Sequence, residues 1–515
     1  MIYLVTKVKA LFKSSKYECI SIERSKEIIN SMKKIRGLDT ETMGLNPHTK
    51  ALLTVQIGTK KDQVVINCTT INIWEYKDIL EDSTILYILA NAKFDIQFFF
   101  KHNIILSKVW DVMLAEKIRY LGYPKGSFHA DLKTLEYKYL NKYMDKTVRG
   151  KITKVGLTEE VIVYAANDVV DLEDLMNAQI KALEKEDLVK AVQLENRFVI
   201  PLAYMEWCGV KLDVEKWKAK MVKDAKRLKI ALTKLNDWVV KHYGNDSRFT
   251  KVDLQGDLFS GFNTDPQCTI NWNSAAQVIP LFKAIGINTS TIDSKTKKLK
   301  DSVDAKLLEP QSKDFEILPI YLDYKEAQKV CSTYGQNWLD QINPETGRVY
   351  TKFNQLGTNT ARISSGGKDK NAKIEYVNFL NLPADPETRS CFIAEKGNSW
   401  ISIDYSGQES FIMASISNDK ALIHELMEGS GDLHSLTAYM SYPDQIPRDT
   451  KITEIKEKYH HLRQLAKKIE FGFNYGGDFN TIHRNLGISI EEAKKIYENY
   501  MSGFSGLAKY QEYCR

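Results

Sequence analysis

The 515-residue sequence predicts an α/β (α+β) multidomain fold, and three observations carry that expectation. Residues 33–70 hold three short β-rich runs separated by turn residues. From Gln193 the pattern changes to long helical periodicity. The length alone admits about three domains.

Hydrophobic residues make up 43% and charged residues 27%, an ordinary balance for a globular chain with a large core. The net charge of +6 is a mild excess, compatible with a polyanionic partner and not specific to one. Cys19, Cys68, Cys208, Cys268, Cys331, Cys391 and Cys514 are odd in number, far apart and never arranged as CxxC. They argue against a disulfide framework and a zinc site, and fit a reducing, cytoplasmic setting. The N-terminus lacks the apolar core of a signal peptide, and no stretch approaches the ~20 apolar residues of a spanning helix, which argues against secretion and against a membrane partner.

In chain order, KKIRGLDTETMGLNPHTKALLTVQIGTKKDQVVINC turns at Gly44, Asn46 and Pro47, then at residues 60–62, and predicts an antiparallel meander. Asp39 and Glu41, at i and i+2 of its first strand, point to one face. Two like charges there repel unless a cation joins them, although a polar edge-strand face also accounts for them. ILANAKFDIQFFF sets Asp95 beside a strongly apolar run. VIVYAANDVVDLEDL sets Tyr164 and Asp168 four residues apart, on one face of a helix. A domain boundary is expected near residue 190, followed by two helices around the turn Cys208 to Leu212. Residues 245–265 and 285–315 are polar and read as loops.

SWISIDYSGQESFIMA, residues 399–414, reads as a buried strand (Trp400, Ile401, Ile403) ending on Asp404, then a Gly-containing turn and an amphipathic helix from Glu409. A carboxylate at a strand's end wants a metal ion, a cation or a helix N-terminus to cap. RQLAKKIEFGFNYGG repeats Arg463, Lys467, Phe471 and Tyr475 every four residues, one slowly turning helical face. Two cations followed by two aromatics suit a triphosphate with a base stacked on Phe471; a solvated basic stripe running into a core aromatic is the plainer alternative.

DYSGQE and R-x3-K-x3-FG-x2-YG resemble, in that order, motifs A and B of the family A DNA polymerases, and the resemblance extends upstream through nearly the whole chain. The acids in the order DxE, NxxxFD, YxxxD resemble the 3′–5′ exonucleases of the RNase H-like fold that carry a tyrosine in their third motif. This resemblance implies that Asp39, Glu41, Asp95 and Asp168 hold two Mg²⁺ ions ~4 Å apart, with Mn²⁺ an alternative, and that Tyr164 orients the attacking water. It also implies an exonuclease domain at 1–190, a helical thumb at 191–355, the N-terminal part of a palm at 356–415 and fingers at 416–515.

By the same resemblance Asp404 holds metal, while Arg463, Lys467 and His434 take the triphosphate of an incoming dNTP. Phe471 meets base and sugar, Tyr475 lies beside the templating base, and Glu409 crowds the ribose 2′ position. Lys329, Arg362, Asn381 and Arg389 fall on positions that contact primer–template DNA. The sequence departs from the family pattern at Ala361 (usually Gly), Leu380 (Gln), Gln464 (Arg) and Glu470 (Asn or Thr). The implied function is template-directed DNA synthesis with proofreading, its segmentation closest to phage members; a stand-alone 3′–5′ exonuclease and a non-catalytic DNA-clamping chain are the alternatives. The family's second palm carboxylate lies in a His-Asp-Glu hairpin beyond the fingers, and residues 405–515 contain no His-Asp pair. The chain is therefore expected to degrade 3′ ends by itself and to extend them only with a separate C-terminal polymerase fragment.

Overall fold

A computed structural model describes residues 1–124, 128–143, 153, 156–252, 265–293, 296, 298–369, 374–405 and 407–514. The chain forms two compact units, one of Met1–Thr233 with Asp323–Asn398 and one of Lys234–Leu322 with Ser399–Arg515.

The first unit is built on a seven-stranded mixed sheet. Its strands are β1 (Ile2–Val5), β2 (Tyr17–Ile20), β3 (Ile35–Thr42), β4 (Leu52–Gly58), β5 (Gln63–Asn67), β6 (Leu86–Leu89) and β7 (Val109–Asp111). Their spatial order is β2-β1-β5-β4-β3-β6-β7. The expected meander is its centre: β3 pairs antiparallel with β4 and β4 with β5, whereas β6 joins β3 in parallel. Every residue of β5 is buried, as in a strand covered on both faces. Helices α1 (Ile22–Ser31), α2 (Ala92–Lys101), α3 (Val112–Arg119), α4 (Leu132–Leu140), α5 (Glu159–Asn167), α6 (Leu172–Lys185) and α7 (Val189–Cys208) belong with this sheet. The largest core cluster joins Leu38, Val55, Ile57 and Ile66 of the strands to Phe98 and Phe99 of α2 and to Val199 and Ala203 of α7.

The helices expected around residues 208–212 are α7 and α8 (Val214–Tyr243). Between them Val210–Leu212 forms a short strand that pairs antiparallel with Arg348–Val349 and Phe392–Ile393.

In the second unit, the segments read as loops contain small hairpins, a correction to the sequence reading. Thr250–Val252 pairs with Pro266–Cys268, and Ser290–Ile292 with Leu299–Asp301. Three-residue polar strands carry no apolar alternation, so periodicity cannot report them. Polar bonds reinforce the second hairpin: Lys283 Nζ and the Thr289 hydroxyl each lie 2.7 Å from the Asp301 carboxylate. Helix α9 (Ala275–Ile285) packs Phe282 against Tyr321 of α10 (Ile317–Thr333).

The rest of this unit is helical: α11 (Gln408–Ser417), α12 (Lys420–Met427), α13 (Leu433–Ser441), α14 (His460–Asn474), α15 (Phe479–Leu486), α16 (Ile490–Gly503) and α17 (Ser505–Cys514). Their core contains Leu436, Ala466, Ile469, Phe473, Tyr500 and Phe504. Asp419 serves two helix starts at once, accepting from Ala421 and Leu422 N–H on one oxygen and from Gly506 and Leu507 N–H on the other.

The strand expected at residues 400–404 is not formed. Residues 398–405 form no helix or strand and have no ladder partner among the described residues, and Ile401 and Ile403 are 79% and 90% exposed. A strand exists only through the neighbour it bonds to, so an apolar run without one stays open coil.

Candidate functional site

The first unit brings three of the four predicted exonuclease acids together. Asp39 and Glu41 alternate along β3, facing Gln56 and Thr54 of β4, and a bulge follows Glu41. Helix α5 is started by Thr158, whose hydroxyl accepts from Val161 N–H, and Asp168 caps its other end, one turn below Tyr164. One carboxylate oxygen from each of Asp39, Glu41 and Asp168 lies within 4.8 Å of the others.

What delivers Asp168 is its neighbour Val169, which is buried against two glycines of the central strands. A Cβ on Gly37 would stand 2.6 Å from the Val169 carbonyl oxygen, and one on Gly58 2.7 Å from Val169 Cγ2. Only glycine permits that approach. Neither position was singled out from the sequence, although an isolated glycine inside a strand pattern is a signal of close backbone approach.

Asp95 stands outside that trio. It is buried on α2, where its carboxylate accepts from Thr40 Oγ1 at 2.5 Å, and Thr40 lies between Asp39 and Glu41. Burial pushes its carboxyl up to about 7; the Thr40 hydroxyl opposes the rise and the Asp111 charge adds to it. Asp111, which sequence reasoning missed, fixes the start of two helices. Its carboxylate accepts from Asn91 and Ala92 N–H ahead of α2 and from Met113 and Leu114 N–H in α3. On α2, Lys93 pairs with Glu206 of α7 at 2.5 Å and donates to the Phe353 carbonyl, while Phe353 N–H donates to Glu206 at 2.9 Å. Burial lowers the Lys93 pKa, with Glu206 opposing the shift.

The second unit gathers most of the residues assigned to a nucleotide. On α14, Arg463 is gripped by both oxygens of Asp432, each at 2.9 Å, and Asp432 also caps α13 through Ser435 N–H. Burial raises the Asp432 carboxyl, but the Arg463 and Ser435 bonds outweigh it and hold the group below its ordinary range. His434 Nδ1 lies 2.6 Å from Glu470 Oε2, and the Ser410 hydroxyl donates to Glu470 Oε1 at 2.7 Å. Tyr475 donates to Glu409 at 2.7 Å. Lys467 is exposed, as is Asp404 in its open segment, and the Phe471 side chain lies outside the described residues.

Of the residues assigned to DNA backbone, Lys329 on α10, Arg362 and Arg389 present exposed side chains in the first unit. Arg362 sits in a loop closed by its N–H and carbonyl against Thr358. Its neighbour Ala361 has φ of 63°, the left-handed region where the family pattern has glycine. The Asn381 carbonyl accepts from the Tyr334 hydroxyl.

Residues 262–515 match the family description DNA polymerase family A, and residues 19–183 match 3'-5' exonuclease. The chain belongs to DNA polymerase family A. This family A chain is 24% identical over 512 residues to a DNA polymerase of Mycobacterium phage D29, covering 94% of its own length and 76% of the relative. It is 28% identical over 512 residues to DNA polymerase I of Borreliella burgdorferi, covering 94% of itself and 50% of that protein. Against the thermostable DNA polymerase I of Thermus aquaticus it is 31% identical over 313 residues, covering 61% of itself and 32% of that protein. The chain thus spans half or less of these two bacterial relatives. In fold, it matches the POL domain of Pol1 from M. smegmatis, a structure in complex with DNA primer-template and dNTP, with a TM-score of 0.67 at 21% identity, covering 92% of this chain and 73% of the other. No helix among the described residues is long and apolar enough to cross a membrane.

Proposed function

We propose that this family A chain carries out template-directed DNA synthesis with 3′–5′ proofreading, in DNA replication, through two-metal phosphoryl transfer. The observation that carries the reading is the convergence of Asp39, Glu41 and Asp168, whose carboxylate oxygens lie within 4.8 Å of one another in the segment that matches an exonuclease. Three carboxylates this close repel unless a cation lies among them, and hard oxygen donors suit Mg²⁺ or Mn²⁺. When bound, the metal pair supplies an activated water and neutralises the leaving oxygen. Asp39, Glu41 and Asp168 hold it, Asp95 completes the acid set, and Tyr164 orients the water. Domain limits of 1–190, 191–355, 356–415 and 416–515 are part of the same reading.

In the polymerase half we assign Asp404 to metal, Arg463, Lys467 and His434 to the triphosphate, Phe471 and Tyr475 to the bases, and Glu409 to exclusion of a ribose 2′-hydroxyl. Primer–template DNA meets Lys329, Arg362, Asn381 and Arg389. The protein works in the cytoplasm, that of a bacterial host if a phage encodes it. The exposure of Trp400, Ile401, Ile403 and Tyr405 beside Asp404 favours a further element: a separate C-terminal polymerase fragment that pairs with this stretch and supplies the second carboxylate. Degradation of an end-labelled strand and extension of a primed template test both parts. The chain is expected to degrade, and to extend once that fragment is added. No degradation in Mg²⁺ or Mn²⁺ overturns the exonuclease reading; extension by residues 1–515 alone, lost in Asp404→Ala, overturns the partner.

A further inference from the structure

Glu470 is one of the positions at which this chain leaves the family pattern, and it is 5% exposed. A carboxylate so nearly out of water costs several kcal/mol unless its oxygens find donors. Both do, and from two other helices: the Ser410 hydroxyl of α11 at 2.7 Å and His434 Nδ1 of α13 at 2.6 Å. An ionised carboxylate makes Nδ1 the protonated nitrogen, and the partner of one ring nitrogen decides what the other presents. The neutral side chains usual at this place in the family cannot form such a charge-assisted bond.

Arg463, about two turns earlier on the same helix α14, is treated alike. Asp432, at the start of α13, takes its guanidinium on both oxygens. Two basic side chains assigned to one triphosphate are thus each oriented by a carboxylate from a facing helix.

We propose that Glu470 is a positioning residue for nucleotide binding: by holding His434 Nδ1–H and the Ser410 hydroxyl it aims His434 Nε2–H, as a donor, at the phosphates of a Mg²⁺-bound deoxynucleoside triphosphate. The inference rests on the assignment of His434, Arg463 and Lys467 to that triphosphate. Glu470 itself touches no ligand.

The experiment is equilibrium binding of Mg·dATP to the full chain, followed by calorimetry, with no catalytic turnover required. Glu470→Gln is expected to weaken binding about tenfold, the loss of one charge-assisted bond. His434→Gln should weaken it similarly, and the double variant no further than either alone. Ser410→Ala should stay within about twofold. An unchanged affinity in Glu470→Gln, or an equal further loss when His434 is already absent, overturns the positioning role. If Lys467→Ala binds Mg·dATP as the wild type does, the triphosphate assignment itself has failed and the inference falls with it.

Should the variants not fold, ¹⁵N spectra of the histidine rings in the wild-type chain decide the matter. The expected pattern is a proton on His434 Nδ1 throughout and on Nε2 as well once Mg·dATP is bound, with the Nε2 resonance moving on its addition. A proton on Nε2 alone, or an Nε2 resonance that stays put while nucleotide binds, overturns it.

Discussion

Gly37→Ala tests whether the exonuclease cluster depends on the seat of Val169. The new Cβ would lie 2.6 Å from the Val169 carbonyl oxygen, 2.9 Å from its Cβ and 3.1 Å from its Cα. Ordinary contact begins at 3.4 Å, so about 0.8 Å must be opened, and two of the three atoms are backbone that cannot rotate away. Asp168, the preceding residue, moves with them. A misplacement near 1 Å at a reacting centre costs about a hundredfold in rate, whereas the packing penalty is about 1–3 kcal/mol. Single-turnover degradation of an end-labelled single strand at saturating Mg²⁺, with thermal melting in parallel, separates the two effects. Gly58→Ala meets the Val169 Cγ2 side-chain atom at 2.7 Å, with Gln63 Cγ at 3.1 Å and the Asp62 carbonyl at 3.2 Å, and should lose less; adding Val169→Ala should rescue it in part but not Gly37→Ala. A folded Gly37→Ala chain degrading at the wild-type rate would refute the idea that Val169 sets the place of Asp168.

Four further outcomes are expected. Asp39→Ala with Glu41→Ala should abolish degradation of 3′ ends while the melting temperature holds, because two of three clustered ligands are gone; wild-type rates under matched metal would remove the assignment. Ala361→Gly should raise stability by about 0.5–1 kcal/mol in urea titration, since relief of a left-handed alanine exceeds the entropy that glycine adds to the unfolded chain. The Asp432–Arg463 pair should show in the acid limb of stability. A carboxyl held below its unfolded value stabilises above the ordinary carboxylate range, about pH 4, and loses that contribution as pH falls through the lowered value; Asp432→Asn should lower stability at neutral pH and flatten that limb. Charge removal at Lys329, Arg362 or Arg389 should weaken primer–template binding equally on unrelated sequences and reduce the salt slope by about one each, which filter binding across a salt series reads.

The parts of the molecule that the sequence made legible are those whose partners are close in the chain. The meander of β3 to β5 announced itself through alternating runs and turn residues, and Asp39 and Glu41 came with it because they stand two positions apart on one strand, on the same face. The face shared by Tyr164 and Asp168 followed from one helical turn. The parallel pairings of β1 with β2 and β5 left no local trace, since the partners of Ile2 are Tyr17 and Gln63, 15 and 61 positions away. Trp400 to Ile403 show the converse: an apolar pattern states that a segment wants a sheet, not that one is at hand. Glu470 looked like a departure without function when only the motif was in view. In space it meets His434, 36 residues earlier, and Ser410, 60 residues earlier.

The knot of Lys93, Glu206 and Phe353 bears on how this protein could be cut into parts. Periodicity puts a seam near residue 190, and the exonuclease match ends at 183, yet Val199 and Ala203 are packed among the strands' own apolar residues. A fragment ending at the seam would leave that side of the sheet's core open to water. It would also strip Lys93, half-buried and two residues from Asp95, of its counter-ion. Severing at 190 therefore yields a damaged half, while a fragment meant to stand alone must carry α7 with it and, for Phe353, a stretch of chain 147 residues beyond Glu206.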